Sequence, residues 1–100
     1  MAENNNLIFH GCDVAELVKE YGAPLYIMSE DEIRERCREI KREFTEKYPD
    51  TRAAFAGKAC QTLDVCRIVA SEGMGLDVVS GGEIYVALKA GYDPALLEFN

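Results

Sequence analysis

Three short apolar runs, separated by two helical stretches, constrain this 100-residue chain more than any other feature. The runs lie at about 52–57, 75–79 and 95–99. Between the first two, a helical pattern over about 61–72 is stopped by Gly73. Between the second and third, Ser80-Gly81-Gly82-Glu83 opens another helix that runs to about Ala90, and Gly91 and Pro94 close it. Strand, helix, strand, helix, strand with short connections predicts a βαβαβ unit, an α/β fold with parallel strands buried on both faces. The third run ends at the last residues, which leaves a sheet edge without cover. The pattern therefore predicts an N-terminal portion of a larger protein, since a closed βα barrel takes about 250 residues. An isolated chain of this kind is expected to expose apolar strand edges, and to aggregate or stay partly unfolded.

Upstream, residues 7–9 (Leu-Ile-Phe) and 24–28 (Pro-Leu-Tyr-Ile-Met) are expected to be short strands. Asp13 to Tyr21 is expected to be a short helix, with Val14, Leu17 and Val18 on one face and Gly22 as its stop. A longer helix begins at Ser29-Glu30-Asp31-Glu32, which has the S-x-x-E form of a capping box and an acidic first turn suited to the helix dipole. Ile33, Cys37, Ile40 and Phe44 then share one face, while Arg34, Glu35, Arg38, Glu39, Lys41 and Arg42 cover the other. Tyr48-Pro49-Asp50 ends it.

A formal net charge of −7 argues against nucleic acid or an anionic membrane surface as a partner, because phosphate binding needs basic patches. The polar N-terminus lacks the basic and apolar segments of a secretory signal, and no apolar stretch approaches the length that spans a bilayer. The cytosol is the expected compartment. The four cysteines, Cys12, Cys37, Cys60 and Cys66, form no C-x-x-C pair, and the sole histidine, His10, lies far in sequence from three of them. Buried free thiols in a reducing compartment fit that spacing better than a metal site. His10 has no evident partner and is expected at a surface or interface.

Lys58 closes the run Ala53-Ala54-Phe55-Ala56-Gly57, just before a helical stretch. A lysine there is badly placed for a solvated charge and well placed for a reactive amine, because a desolvated lysine loses its proton readily. In βα barrels the C-terminal ends of the strands carry the active site. The competing reading is a lysine that snorkels to the rim of the sheet. Asp77 sits among Leu76, Val78 and Val79, where an ionised carboxylate needs a cation or hydrogen-bond donors. Those are either backbone N–H groups at a strand end or Lys58 on the neighbouring strand. Ser80-Gly81-Gly82-Glu83 admits an anion at a helix N-terminus, but its spacing favours a capping box. It lacks the lysine and length of a P-loop and is not G-x-G-x-x-G. Cys60 is either a rim residue beside Lys58 or a small buried hydrophobe. Tyr21, Tyr26, Tyr85 and Tyr92 are packing or rim residues.

Several stretches, in this order, resemble the N-terminal part of the diaminopimelate decarboxylase family: Tyr21-Gly-Ala-Pro-Leu-Tyr26, Phe55-Ala-Gly-Lys-Ala59, Gly75-Leu-Asp-Val-Val-Ser-Gly-Gly-Glu83 and Ala87-Leu-Lys-Ala-Gly91. The resemblance covers nearly all of the chain after about Cys12, and the D-V-V-S-G-G-E string is its most specific part. It implies a pyridoxal-phosphate enzyme on an alanine-racemase-like, TIM-like barrel. On this footing, residues 1–28 belong to a second, β-rich domain and residues 29–100 form the first βα units of the cofactor-binding barrel. The implied activity is decarboxylation of meso-2,6-diaminopimelate to L-lysine and carbon dioxide. Decarboxylation of another basic amino acid, of ornithine or arginine type, and a non-catalytic cofactor-binding protein are the alternatives. Racemisation is disfavoured by Ala59-Cys60-Gln61-Thr62 after the lysine.

By the same resemblance Lys58 holds the cofactor covalently, Asp77 lies near that lysine, Ala56 is a small residue beside the cofactor, and Glu83 belongs to the site's surroundings. The resemblance also implies a homodimer with shared active sites. It places the phosphate-binding loop and the acidic partner of the pyridine nitrogen beyond Asn100. The 100 residues alone are expected to be inactive.

Overall fold

The computed structural model describes residues 5–100. It opens with an antiparallel hairpin of β1 (Ile8–Phe9) and β2 (Cys12–Asp13), turned at His10 and Gly11. Asp13 then caps α1 (Val14–Tyr21) by accepting from the Ala15 and Glu16 N–H groups. The strand expected over 24–28 does not form. Half-buried Leu25 and Ile27 alternate with exposed Tyr26 and Met28, which is the period of a strand. No strand among the described residues pairs with it, and unpaired alternation does not make a sheet.

Ser29 caps α2 (Glu30–Ile40) through Glu32 N–H, as its S-x-x-E spacing predicts. A π-helical turn, Lys41–Thr45, follows directly. The apolar stripe leaves the core at the end of α2. Cys37 is buried and Ile33 half-buried, but Ile40 and Phe44 are exposed, and the Phe44 ring leans on Tyr48 at 5.5 Å.

The second half is the predicted βαβαβ unit. It comprises β3 (Ala54–Ala56), α3 (Leu63–Ser71), β4 (Gly75–Val78), α4 (Gly81–Lys89) and β5 (Leu97–Phe99). The strands are parallel in the order β3-β4-β5, with Ala56 opposite Asp77 and Asp77 opposite Glu98. Residues paired this way point to the same side, so Phe55, Leu76 and Leu97 form one row and Ala56, Asp77 and Glu98 the opposite one. The first row faces the core. There Leu76 and Val78 pack with Cys66 and Val69 of α3, Ala87 of α4 and Cys37 of α2. All three helices thus cover one face, as in a singly wound sheet.

The expected burial on both faces is not observed. Only β4 is largely buried, whereas Ala54, Ala56 and Glu98 are exposed. The reason is geometric: the face bearing Ala56, Asp77 and Glu98 has no helix against it among the described residues. Phe99, on the core-facing row, is exposed at the end of the edge strand β5. The chain exposes 7020 Å², where a closed globule of 11.1 kDa exposes about 5,700 Å². No helix of the described residues is long and apolar enough to cross a membrane.

Two polar devices hold the layers. Tyr92 is buried, and its hydroxyl donates to the Met74 carbonyl at 2.8 Å. Burial pushes its pKa up to about 12. Glu72, at the end of α3, clamps α2. It accepts from Arg34 at 2.8 Å and from Arg38 at 3.0 and 3.1 Å, and Arg34 also donates to Ser71 Oγ. These two arginines, placed by periodicity on a solvent face, instead reach across to α3.

The hydrogen bonds from Arg38 and Arg34 hold the Glu72 carboxyl below its ordinary pKa of 4.5. A carboxylate depressed in the folded state stabilises the fold above its unfolded pKa, and that contribution is lost as pH falls through the folded value. Glu72→Gln in the full-length protein should therefore lower stability at neutral pH and flatten its decline on acidification between about pH 6 and pH 3. Urea unfolding across that range checks this, and parallel curves for both proteins would contradict it.

Candidate active site

Strand β3 ends at Ala56, and a single 3-10 turn, Gly57–Ala59, carries Lys58 past the edge of the sheet. The turn closes with one backbone hydrogen bond, Cys60 N–H to the Gly57 carbonyl, at 3.1 Å. Lys58 is exposed, and its amine makes no hydrogen bond or ion pair with the described residues. The expected desolvation is thus absent in this chain, because the turn lies beyond the strand and the sheet face beside it is open. The expected position at the C-terminal end of a parallel strand is observed.

Asp77 stands at the same end, half-buried, one strand over from Ala56. Its Oδ1 accepts from Asn100 Nδ2 at 2.5 Å, so a donor rather than Lys58 satisfies it. Lys58 and Asp77 share the strand ends but form no ion pair here. Ala56, small and exposed, leaves open space beside both.

At the start of α4, Ser80 Oγ accepts from Glu83 N–H at 3.2 Å, and its hydroxyl donates to Glu83 Oε2 at 2.9 Å. This is the reciprocal contact of a cap. A carboxylate already stands at the helix N-terminus, which opposes a phosphate there by like charge. Ser80→Ala should cost about 1 kcal/mol of stability, measured by denaturant unfolding of the full-length protein. An unchanged midpoint would refute the cap.

Sequence spacing did not point to Gln61, yet it joins the two halves of this site. Its Nε2 donates to the Glu83 carbonyl at 2.5 Å, tying the segment after Lys58 to α4. Its Oε1 and the second carboxylate oxygen of Glu83, Oε1, are buried without a hydrogen-bond partner among the described residues. Gly57 is buried, and a Cβ there would collide with Gln61 Oε1. The available signal was position: Gln61 is a polar residue between the lysine turn and the Thr62 cap of α3.

The other candidates sort by burial. Cys60 is half-buried, with its Sγ 4.0 Å from Met28 Sδ. Cys37 and Cys66 are buried thiols whose pKa burial raises, while Cys12 is exposed, contrary to expectation, because its two-residue strand packs no second layer. His10, expected to lack a partner, has Nε2 3.9 Å from the Glu32 carboxylate. Tyr92 is core, whereas Tyr21, Tyr26 and Tyr85 are exposed.

Residues 30–100 match the family model described as pyridoxal-dependent decarboxylase, pyridoxal binding domain. The chain belongs to this family. Its cofactor is pyridoxal phosphate. Among family members, the chain is 46% identical over 92 residues to a diaminopimelate decarboxylase of Methanothermobacter thermautotrophicus, covering 92% of this chain and 22% of that protein. It is 41% identical over 98 residues to one from Bacillus methanolicus, covering 98% of this chain and 23% of that protein. A solved diaminopimelate decarboxylase from M. jannaschii, in complex with L-lysine, superposes with a TM-score of 0.88 at 33% identity. That match covers 100% of this chain and 24% of the solved one. The chain thus spans about a quarter of the length of these relatives.

The residues present fit an aldehyde cofactor of this kind. A primary amine free of any ion pair is available for a covalent bond. Ala56 is small and exposed and leaves the space beside it open, and two acceptor oxygens, Gln61 Oε1 and Glu83 Oε1, are buried without a donor among the described residues.

Proposed function

We propose that the protein carrying this chain decarboxylates meso-2,6-diaminopimelate to L-lysine and carbon dioxide, with Lys58 as the amine that holds pyridoxal phosphate. The observation that carries this reading is the unpaired amine of Lys58 at the end of β3, inside the stretch that matches a pyridoxal binding domain. The names of these relatives, and the L-lysine bound to one of them, support the substrate.

Pyridoxal phosphate, when bound, supplies the electron sink that loss of carbon dioxide from an amino acid requires. The chain's residues do the rest of the work available to it. Lys58 fixes the position of the reacting centre at the strand ends, and its amine is not committed to a carboxylate. Asp77, oriented by Asn100, and Glu83, oriented by Ser80, place negative charge at that end, which favours a cationic group there. Ala56 keeps side-chain bulk away from that end.

The wider architecture belongs to the same proposal. Residues 29–100 form the first βα units of a TIM-like barrel, and residues 1–28 lead in from a β-rich domain. The consecutive parallel strand order, helices on one face only, and a family match that begins at residue 30 support this. A homodimer with shared sites follows from the family resemblance.

The test is product analysis on the full-length protein with pyridoxal phosphate and, separately, meso-2,6-diaminopimelate, ornithine and arginine. L-Lysine and carbon dioxide are expected from the first alone, and Lys58→Ala should lower the rate about a thousandfold or more. Turnover of ornithine or arginine with none of diaminopimelate would overturn the substrate assignment.

A further inference from the structure

We infer that Gln61 is a positioning residue for Lys58. The inference rests on the reading of Lys58 as the cofactor-bearing amine. The turn that carries Lys58 is thinly held: the β3 ladder stops at Ala56, and one backbone hydrogen bond closes the turn. The next polar side chain is Gln61, and its Nε2 donates to the Glu83 carbonyl in the first turn of α4. That bond fastens the lysine turn to the helix that follows β4. The carboxamide also lies across the missing side chain of Gly57, with Oε1 where a Cβ would collide with it. Gly57 itself is buried and packs against the Asp77 carbonyl, 3.1 Å from that same Cβ position.

Two features argue that the carboxamide does more than fill space. Its Oε1 is buried without a donor, an arrangement that detracts from stability and that a purely structural residue would avoid. And the turn does not demand glycine at Gly57 for its backbone angle, because φ there is not in the left-handed region. What a side chain at Gly57 would strike first is Gln61. Glycine at position 57 and glutamine at position 61 thus form one device: the first makes room for the amide that fastens the turn.

A double-mutant cycle tests this. Gln61→Met keeps length and volume but removes both amide groups. Gly57→Ala leaves Gln61 in place and pushes its carboxamide aside. The readouts, in the full-length protein freed of cofactor and then supplied with pyridoxal phosphate, are the rate at which the cofactor becomes attached to Lys58, followed by absorbance, and the thermal midpoint. Borohydride reduction and peptide mapping locate the attachment. Each single variant should slow attachment about tenfold with little change in midpoint, and the double variant should be no slower than either, because both disable one contact. The steady-state rate should fall with KM within about threefold, as for a misplaced reacting group.

Attachment at wild-type rate in Gln61→Met, or effects that multiply in the double variant, would overturn the role of Gln61 while leaving Lys58 intact. Cofactor attached elsewhere in the wild-type protein would overturn the reading of Lys58 and this inference with it. Should Gln61→Met fail to fold, Gly57→Ala alone decides, since the inference requires it to slow attachment.

Discussion

Everything in this chain hangs on the burial of one side of one strand. β4 turns Leu76 and Val78 into the space between α3 and α4, where both are fully buried. Burying two such side chains contributes about 1.5–3 kcal/mol each. Their alternation fixes the rest, because with Leu76 and Val78 inward, Gly75 and Asp77 must point to the opposite face. Parallel pairing then sets Ala56 and Glu98 beside Asp77. A one-residue slip would put Asp77 into the apolar layer and Leu76 outside it. The end of the sheet at which Lys58 and Asp77 lie is therefore a consequence of hydrophobic register.

The β3–β5 half was legible for the same reason. Apolar runs of strand length, S-x-x-E caps and a glycine stop are local signals, and each of them recurs in the structure at nearly the expected residue. The parts that were not legible depend on partners distant in sequence. The segment 24–28 has a strand's alternation, but alternation specifies only faces, and pairing needs a neighbour. The helix stripe of Ile33, Cys37, Ile40 and Phe44 meets the core only at Ile33 and Cys37; Ile40, at the end of α2, and Phe44, in the π-helical turn, are exposed. Arg34 and Arg38 sit among solvent-facing charges in sequence, and only the packing of α2 on α3 brings Glu72 within reach of both.

The site divides in a similar way. Position was readable: Lys58 follows an apolar run, and Asp77 interrupts another. Environment was not, because solvation depends on what covers a face. Lys58 is exposed and unpaired where a desolvated amine was expected, and Asp77 is satisfied by Asn100. Ser80 and Glu83 form the reciprocal contact of a cap, so the spacing's capping reading is the one the structure displays. Gln61 carries no motif, and its importance emerges only from the contact across the turn.

The central claim is that Lys58, placed by the register of β3 on β4, is the amine that holds the cofactor. Borohydride reduction of the cofactor-loaded full-length protein, followed by digestion and mass mapping, tests it most directly. A pyridoxyl group is predicted on the peptide that contains Lys58, and none on that peptide in Lys58→Ala. A pyridoxyl group on any other lysine of the wild-type protein would contradict the account.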